Sequence, residues 1–149
     1  MGIDFEHYDS PAEHHCPQWA YGGFDRFRTR LAASEGFDLD EMQGFSNGRY
    51  FEDGYVAGTR SWDEVTTALK PLLNHSDCDG ELSSEECAQV APRLREVAEA
   101  WPSEGVAMAD SFDYRGALAL AECMELCAAS GNSLMFRLPR PHQNQRKPR

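Results

Sequence analysis

Ten residues at positions 77–86, DCDGELSSEE, constrain this chain more than any other stretch. Five acids crowd around Gly80, so the segment suits neither a helix interior nor a buried strand. Gly80 can take the left-handed conformation of a tight turn, the aspartates can cap nearby N–H groups, and Ser83 or Ser84 can start a helix. Helical patterns flank the loop on both sides, so the local unit is a helix, an acidic turn and a second helix.

In the first of these helices, SWDEVTTALKPLLN, Ser61 suits an N-cap and Glu64, three residues on, completes a capping box. Pro71 removes one backbone hydrogen bond and should kink or end it early. In the second, SEECAQVAPRLREVAEAW, Cys87, Val90, Ala91, Leu94 and Ala98 share a face, and Pro92 predicts a bend. Upstream, FDRFRTRLAASEG places Phe24, Phe27 and Leu31 at helical spacing and ends at Gly36. A last helix is predicted over 114–130, ended by Gly131.

The ends of the chain read differently. Ile3, Phe5 and Tyr8 alternate with polar residues as in a short strand, and SLMFRL at 133–138 is a second strand that can pair with it. Residues 10–17 read as a loop, and 43–58, with four glycines among aromatics, as an irregular loop or loose hairpin. The fold class expected is α+β and predominantly helical: a helix-loop-helix core with a small two-stranded sheet formed by the chain ends. Residues 1–138 read as a single globular domain, and 139–149, polar, basic and proline-rich, as a disordered tail.

The acidic loop resembles a calcium-type EF-hand loop lacking its first carboxylate. Such loops direct oxygen ligands from positions 1, 3, 5, 7, 9 and 12, with glycine at 6. With Gly80 setting the register, Asp77 falls at 3, Asp79 at 5, the Glu81 carbonyl at 7, Ser83 at 9 and Glu86 at 12, and Leu82 takes the apolar position 8. His75 stands at position 1, where an imidazole is a poor calcium ligand. The preceding helix is out of phase, and no second loop is available to form a pair. Three occupants stay open: Ca2+ on Asp77, Asp79, Glu81, Ser83 and Glu86 with His75 at position 1, no metal at all, or Zn2+. For zinc, His75, Cys78 and Cys87 would join the His14-His15-Cys16 run, although these spacings match no established zinc pattern.

Charge narrows the partners. The net charge is −11, yet residues 137–149 hold five of the 14 basic residues and none of the 25 acids, leaving −16 on the rest. Such a body repels nucleic acid and membranes and attracts divalent cations or a basic protein surface, while the basic tail could meet nucleic acid. A phage-associated antagonist or nucleic-acid mimic is one form this could take. No apolar run approaches the length of a membrane span, and the N-terminus lacks a leader pattern, which points to the cytoplasm.

Five cysteines without an export signal argue for thiols or metal ligands over a disulfide framework, and Cys123 and Cys127, one helical turn apart among apolar residues, read as core. A zinc- or thiol-dependent enzyme is conceivable, but the acids around Cys78 oppose thiolate formation and no catalytic motif supports one. Arg26, Arg28 and Arg30 could form a basic strip beside Phe24 and Phe27, although those phenylalanines suit the core. Taken together, YGGFDRFRTRL and PLLNHSDCDGELSSEECAQVAPRLREV resemble a family of small bacterial and phage-encoded proteins with an almost identical His-Ser-Asp-Cys-Asp-Gly core. The resemblance runs to Leu126 and implies no activity. Charge, loop and cysteines together describe a non-enzymatic acidic interaction protein with a cation-binding loop.

Overall fold

The computed structural model of the chain describes residues 2–7, 18–45, 57–74, 80–102 and 111–137. Strand β1 (Gly2–His7) is followed by β2 (Gln18–Ala20) and helix α1 (Tyr21–Ser34). Two one-turn 3-10 helices, Leu39–Glu41 and Trp62–Glu64, precede the four-residue α2 (Lys70–Leu73). Then come β3 (Gly80–Leu82), α3 (Ser84–Ala100), α4 (Ser111–Ser130) and β4 (Leu134–Arg137).

The α+β class and its helical predominance are as the sequence implies. The chain ends do pair: β1 and β4 run antiparallel, with Phe5 opposite Phe136 and His7 opposite Leu134. Two three-residue strands extend this pair, giving the order β2-β1-β4-β3. The β3 register sets Leu82 opposite Leu134. This pairing brings the exit of the acidic loop onto the C-terminal strand.

Helix ends obey local chemistry. Gly36 has φ 91°, and the amides of Gly36 and Phe37 donate to the carbonyls of Ala33 and Ala32, the paired reversed hydrogen bonds of a Schellman cap. Gly131, at φ 77°, closes α4 in a similar way, with Asn132 donating to Cys127. In α3 the predicted face, Cys87, Val90, Ala91, Leu94 and Ala98, is buried throughout. Pro92 lies inside α3 on the exposed side, where the carbonyl of Ala88 that it deprives of a donor can be hydrated.

One helix does not form as expected. Residues 61–74 divide into the 3-10 turn at Trp62–Glu64, an extended Val65, and α2. Ser61 does cap, accepting from the Asp63 amide at 3.1 Å, but Glu64 closes no capping box and instead pairs with Arg60 at 3.1 Å. Val65, Thr66 and Thr67 are β-branched, and Pro71 has no N–H to give the Thr67 carbonyl, so a continuous helix loses both propensity and a bond. Thr67 turns instead, its hydroxyl accepting from the Leu69 amide at 3.0 Å.

The core joins α1, α2, α3 and α4 with Leu82 and Leu134 from the sheet. Trp101, 1% exposed, stands edge-on to Phe27 at 6.4 Å and donates its indole N–H to Ser34 at 3.0 Å. Trp62 packs edge-on against Phe37 and Phe45 and donates to the Gln43 carbonyl. This second cluster organises the residues flanking 46–56, where most of the expected loop or hairpin lies outside the described residues.

Candidate functional site

The two ends of the acidic loop are fixed by different forces. On the exit side Gly80 takes φ 116°, and Leu82, 1% exposed, anchors β3 in the core. Ser83 is extended, its hydroxyl accepts from the Glu86 amide at 3.1 Å, and the Glu86 carboxylate accepts from the Ser83 amide at 2.9 Å. This is the reciprocal capping box, and it holds negative charge at the N-terminal end of α3, where the helix dipole favours it. Glu81 is exposed and accepts from the Ser133 hydroxyl at 3.5 Å.

Of the residues predicted to hold a cation, Glu81, Ser83 and Glu86 are therefore brought within one strand and one helical turn. His75, Asp77 and Asp79 lie outside the described residues, as do Cys78 and the His14-His15-Cys16 run. The oxygen donors on the exit side fit a hard cation in kind. The capping bond to the Ser83 amide uses one oxygen of the Glu86 carboxylate, Oε1. Among the described residues, no group of three or more His, Cys, Asp or Glu side chains is placed to hold a metal.

On the entry side α2 ends at Leu73, whose carbonyl accepts from Arg28 Nη1 at 3.4 Å. Arg28 is 1% exposed, with its guanidinium carbon 5.0 Å from the centre of the Phe24 ring and 5.3 Å from that of Phe45. Asp25 approaches at 3.9 Å. Arg28 is thus no part of a surface strip, and Phe24 and Phe27 are core residues. The signal was present in the spacing: positions 24, 27, 28 and 31 form one helical stripe, which sets Arg28 on the apolar face.

A second charged anchor escaped sequence reasoning because its members are 58 positions apart. Glu35, its side chain 7% exposed, accepts from Arg93 at 2.7 and 3.1 Å and from the Thr67 hydroxyl at 2.6 Å. Burial by itself would raise the carboxyl's pKa. The Arg93 and Thr67 hydrogen bonds, with the Arg93 charge, outweigh it and leave Glu35 below its ordinary value. This cluster ties α1 to α3 and to the turn before α2. Gln89 of α3 adds a bond to the Ala68 carbonyl at 3.2 Å.

Beneath the loop exit lies Cys87. It is fully buried and lies within 4.0 Å of the Leu82 carbonyl. The neighbouring Cys127 thiol of α4 and burial push the Cys87 thiol well above its ordinary range. A thiol so placed is poorly suited to ligate zinc or to act as a nucleophile at neutral pH. Cys87 and Cys127 are free, but Cys123, 3% exposed, is disulfide-bonded. The expectation of core positions for Cys123 and Cys127 holds, and the preference for thiols over disulfides fails at Cys123.

A separate cleft of about 430 Å3 lies between the 3-10 turn at Leu39–Glu41 and residues 57–60. Asp38, Asp40 and Glu41 face Arg60 across it, and Gly58 is required there, since a Cβ would lie 2.2 Å from the Met42 carbonyl oxygen. Burial, with the charges of Asp38 and Asp25, raises the Asp40 carboxyl. Among the described residues no helix is long and apolar enough to cross a membrane. No protein-family model, curated protein or solved structure matches the chain.

Proposed function

We propose that the chain is an acidic interaction protein that docks on a basic surface of a partner protein, with the loop at 75–86 as a divalent-cation site that fixes the start of α3. One observation carries the docking reading. Arg28, Arg30, Arg60, Arg93 and Arg95 each lie within 4.0 Å of a carboxylate of their own chain. The exposed Asp38, Asp63, Glu85, Glu99 and Glu122 remain as surface charge. Charge paired within the fold cannot compete with a partner, and charge left over steers one. The cation reading is supported by the oxygen donors at the loop exit and rests on Asp77 and Asp79 for its remaining ligands.

Affinity capture at low ionic strength, followed by a salt titration, tests the docking. A protein partner is expected to bind with an affinity that falls steeply as salt rises. Retention of a purely nucleic-acid ligand, or capture unaffected by salt, would overturn it. Displacement of DNA from the captured partner would identify the nucleic-acid-mimic form of the same role. Titration calorimetry with Ca2+ and Mg2+ tests the loop. Binding in the micromolar to millimolar range, lost in Asp79→Ala, is expected, and no heat for either ion would remove the cation from the reading.

A further inference from the structure

On the outer surface of α3 and α4, carboxylates gather around Arg95. Its guanidinium holds Glu125 of α4 at 2.8 and 3.1 Å. Glu99 follows Arg95 by one helical turn and Glu122 precedes Glu125 by one, so both stand beside that bridge. Glu99 and Glu122 are exposed and form no ion pair among the described residues. The Glu125 hydrogen bond, and after it the charges of Glu125, Glu99 and Glu122, raise the Arg95 guanidinium against the opposing effect of burial. Carboxylates outnumber the cation here, and the face keeps negative charge in excess.

The counter-charge is carried by the same chain. Residues 138–149, LPRPHQNQRKPR, hold Arg140, Arg146, Lys147 and Arg149 and no acid. They begin where β4 ends at Arg137. Glu125 is the last acid of the chain and Glu122 the one before it, so the carboxylates nearest to the tail along the chain are those of this face. Reach is sufficient. From Glu125 to the end of α4 the helix rises about 7.5 Å, and from there to Arg137 the chain spans at most about 25 Å. Lys147 can lie about 35 Å from Arg137, which covers any separation those lengths permit.

We propose that the basic tail, residues 138–149, docks on this acidic face of α3 and α4 and is the occupant that a basic partner has to displace. The displacement rests on the proposed docking function, whereas the contact of tail and face does not. Opposite charge supplies the attraction, and the tether supplies a high effective concentration. Exposed ion pairs are individually weak, so the docked tail exchanges freely and is cleared by salt. A partner must present denser positive charge than the tail does. The tail thereby filters out weakly basic proteins.

Zero-length carbodiimide crosslinking of the full chain, mapped by mass spectrometry, tests the contact with no partner present. Lys147 is the one amine of the tail, and Lys70 is the only other lysine. At about 0.01 M salt the expected products are monomers with an amide bond from Lys147 to Glu99, Glu122 or Glu125. Their yield should fall about tenfold at about 1 M salt, where the screening length shrinks from about 30 to about 3 Å. A peptide of eight arginines should suppress the same links at low salt by competing for the face. Links from Lys147 mainly to other acids, links only between chains, no link at all, or a yield indifferent to salt would overturn the proposal. Wild-type mapping needs no variant, so a misfolded mutant leaves the test intact. In the double variant Glu99→Gln, Glu122→Gln, neither of whose altered residues pairs within the fold, the remaining link to Glu125 should weaken severalfold. If the links form as stated but affinity capture at low salt finds no partner, the docking function falls and the contact of tail and face stands.

Discussion

The chain carries the same tetrad pattern twice, once ahead of the acidic loop and once at its exit, and only one copy builds the helix that the pattern announces. Ser83-Ser84-Glu85-Glu86 forms the full reciprocal cap and starts the 17-residue α3. Ser61-Trp62-Asp63-Glu64 caps a single 3-10 turn and releases the chain into extended backbone. The two tetrads present the same capping atoms, so the difference lies in the residues downstream of each. Behind Glu86 come Cys, Ala, Gln and Val, and the first proline is six positions on and exposed. Behind Glu64 come Val, Thr, Thr and, seven positions on, a proline in the first turn of α2. A cap satisfies orphan amides, but it cannot supply the propensity or the hydrogen bonds of the turns after it.

The loop is therefore held locally at its exit and by distant residues at its entry, and mutations at the two ends should differ accordingly. The largest effect belongs to Arg28. Arg28→Ala removes the donor to Leu73, empties the space between Phe24 and Phe45, and is expected to cost about 3 kcal/mol in urea denaturation. Arg28→Met refills most of that space without a charge and should recover more than half. If Arg28→Ala proves milder than loss of the Ser83 cap, the entry is not held by tertiary contacts and the contrast fails.

Next comes Glu35, whose replacement also tests the entry side, through Thr67. Glu35→Gln keeps the shape but loses the charge that Arg93 and Thr67 address. Arg93 is 39% exposed, so screening limits the loss to about 1.5 kcal/mol at pH 7. The pH dependence has a definite sign. Glu35 is lowered in the fold from an ordinary 4.5, so the unfolded chain binds its proton more readily. Its contribution is complete above that value and is lost as pH falls below it through the folded pKa. Wild type and Glu35→Gln should accordingly converge in stability on acidification. A gap that persists unchanged to about pH 2, below the ordinary carboxylate range, would show that Glu35 acts through shape alone.

Those same anchors mark where the sequence stopped being legible. Elements whose signals sit within a few residues were readable: α1 with its Gly36 stop, the cap and buried face of α3, and the Gly131 end of α4. The pairing of β1 with β4 was also readable, because two short apolar strands at the chain ends need one another. Strands of three residues such as β2 and β3 show no period to detect, and they exist because β1 and β4 offer edges to pair with. At the site, the second half of the loop could be read as far as its cap, since Ser83 and Glu86 solve a local problem. The pair Glu35 with Arg93 is encoded only by the packing of helices distant in sequence. Arg28 lay between these extremes, its burial written in a stripe that charge alone argued against.

The smallest effect is the most discriminating, because it compares like with like. Ser83→Ala removes a hydroxyl that accepts from the Glu86 amide and leaves an N-terminal amide of α3 without its partner. A loss of about 1 kcal/mol is expected. Ser61→Ala removes the same atom from the same position of the same pattern, but the bond it breaks closes one 3-10 turn at the exposed residue Asp63. A loss below about 0.5 kcal/mol is expected there. Both are measured as shifts in urea midpoint at constant m-value. Equal losses would mean that the two caps matter equally and that the break at 61–74 reflects Pro71 alone. In that case Pro71→Ala should stabilise the chain by letting α2 extend toward Ser61. If the losses differ as stated, Pro71→Ala should leave stability nearly unchanged, because Val65, Thr66 and Thr67 still resist the helix.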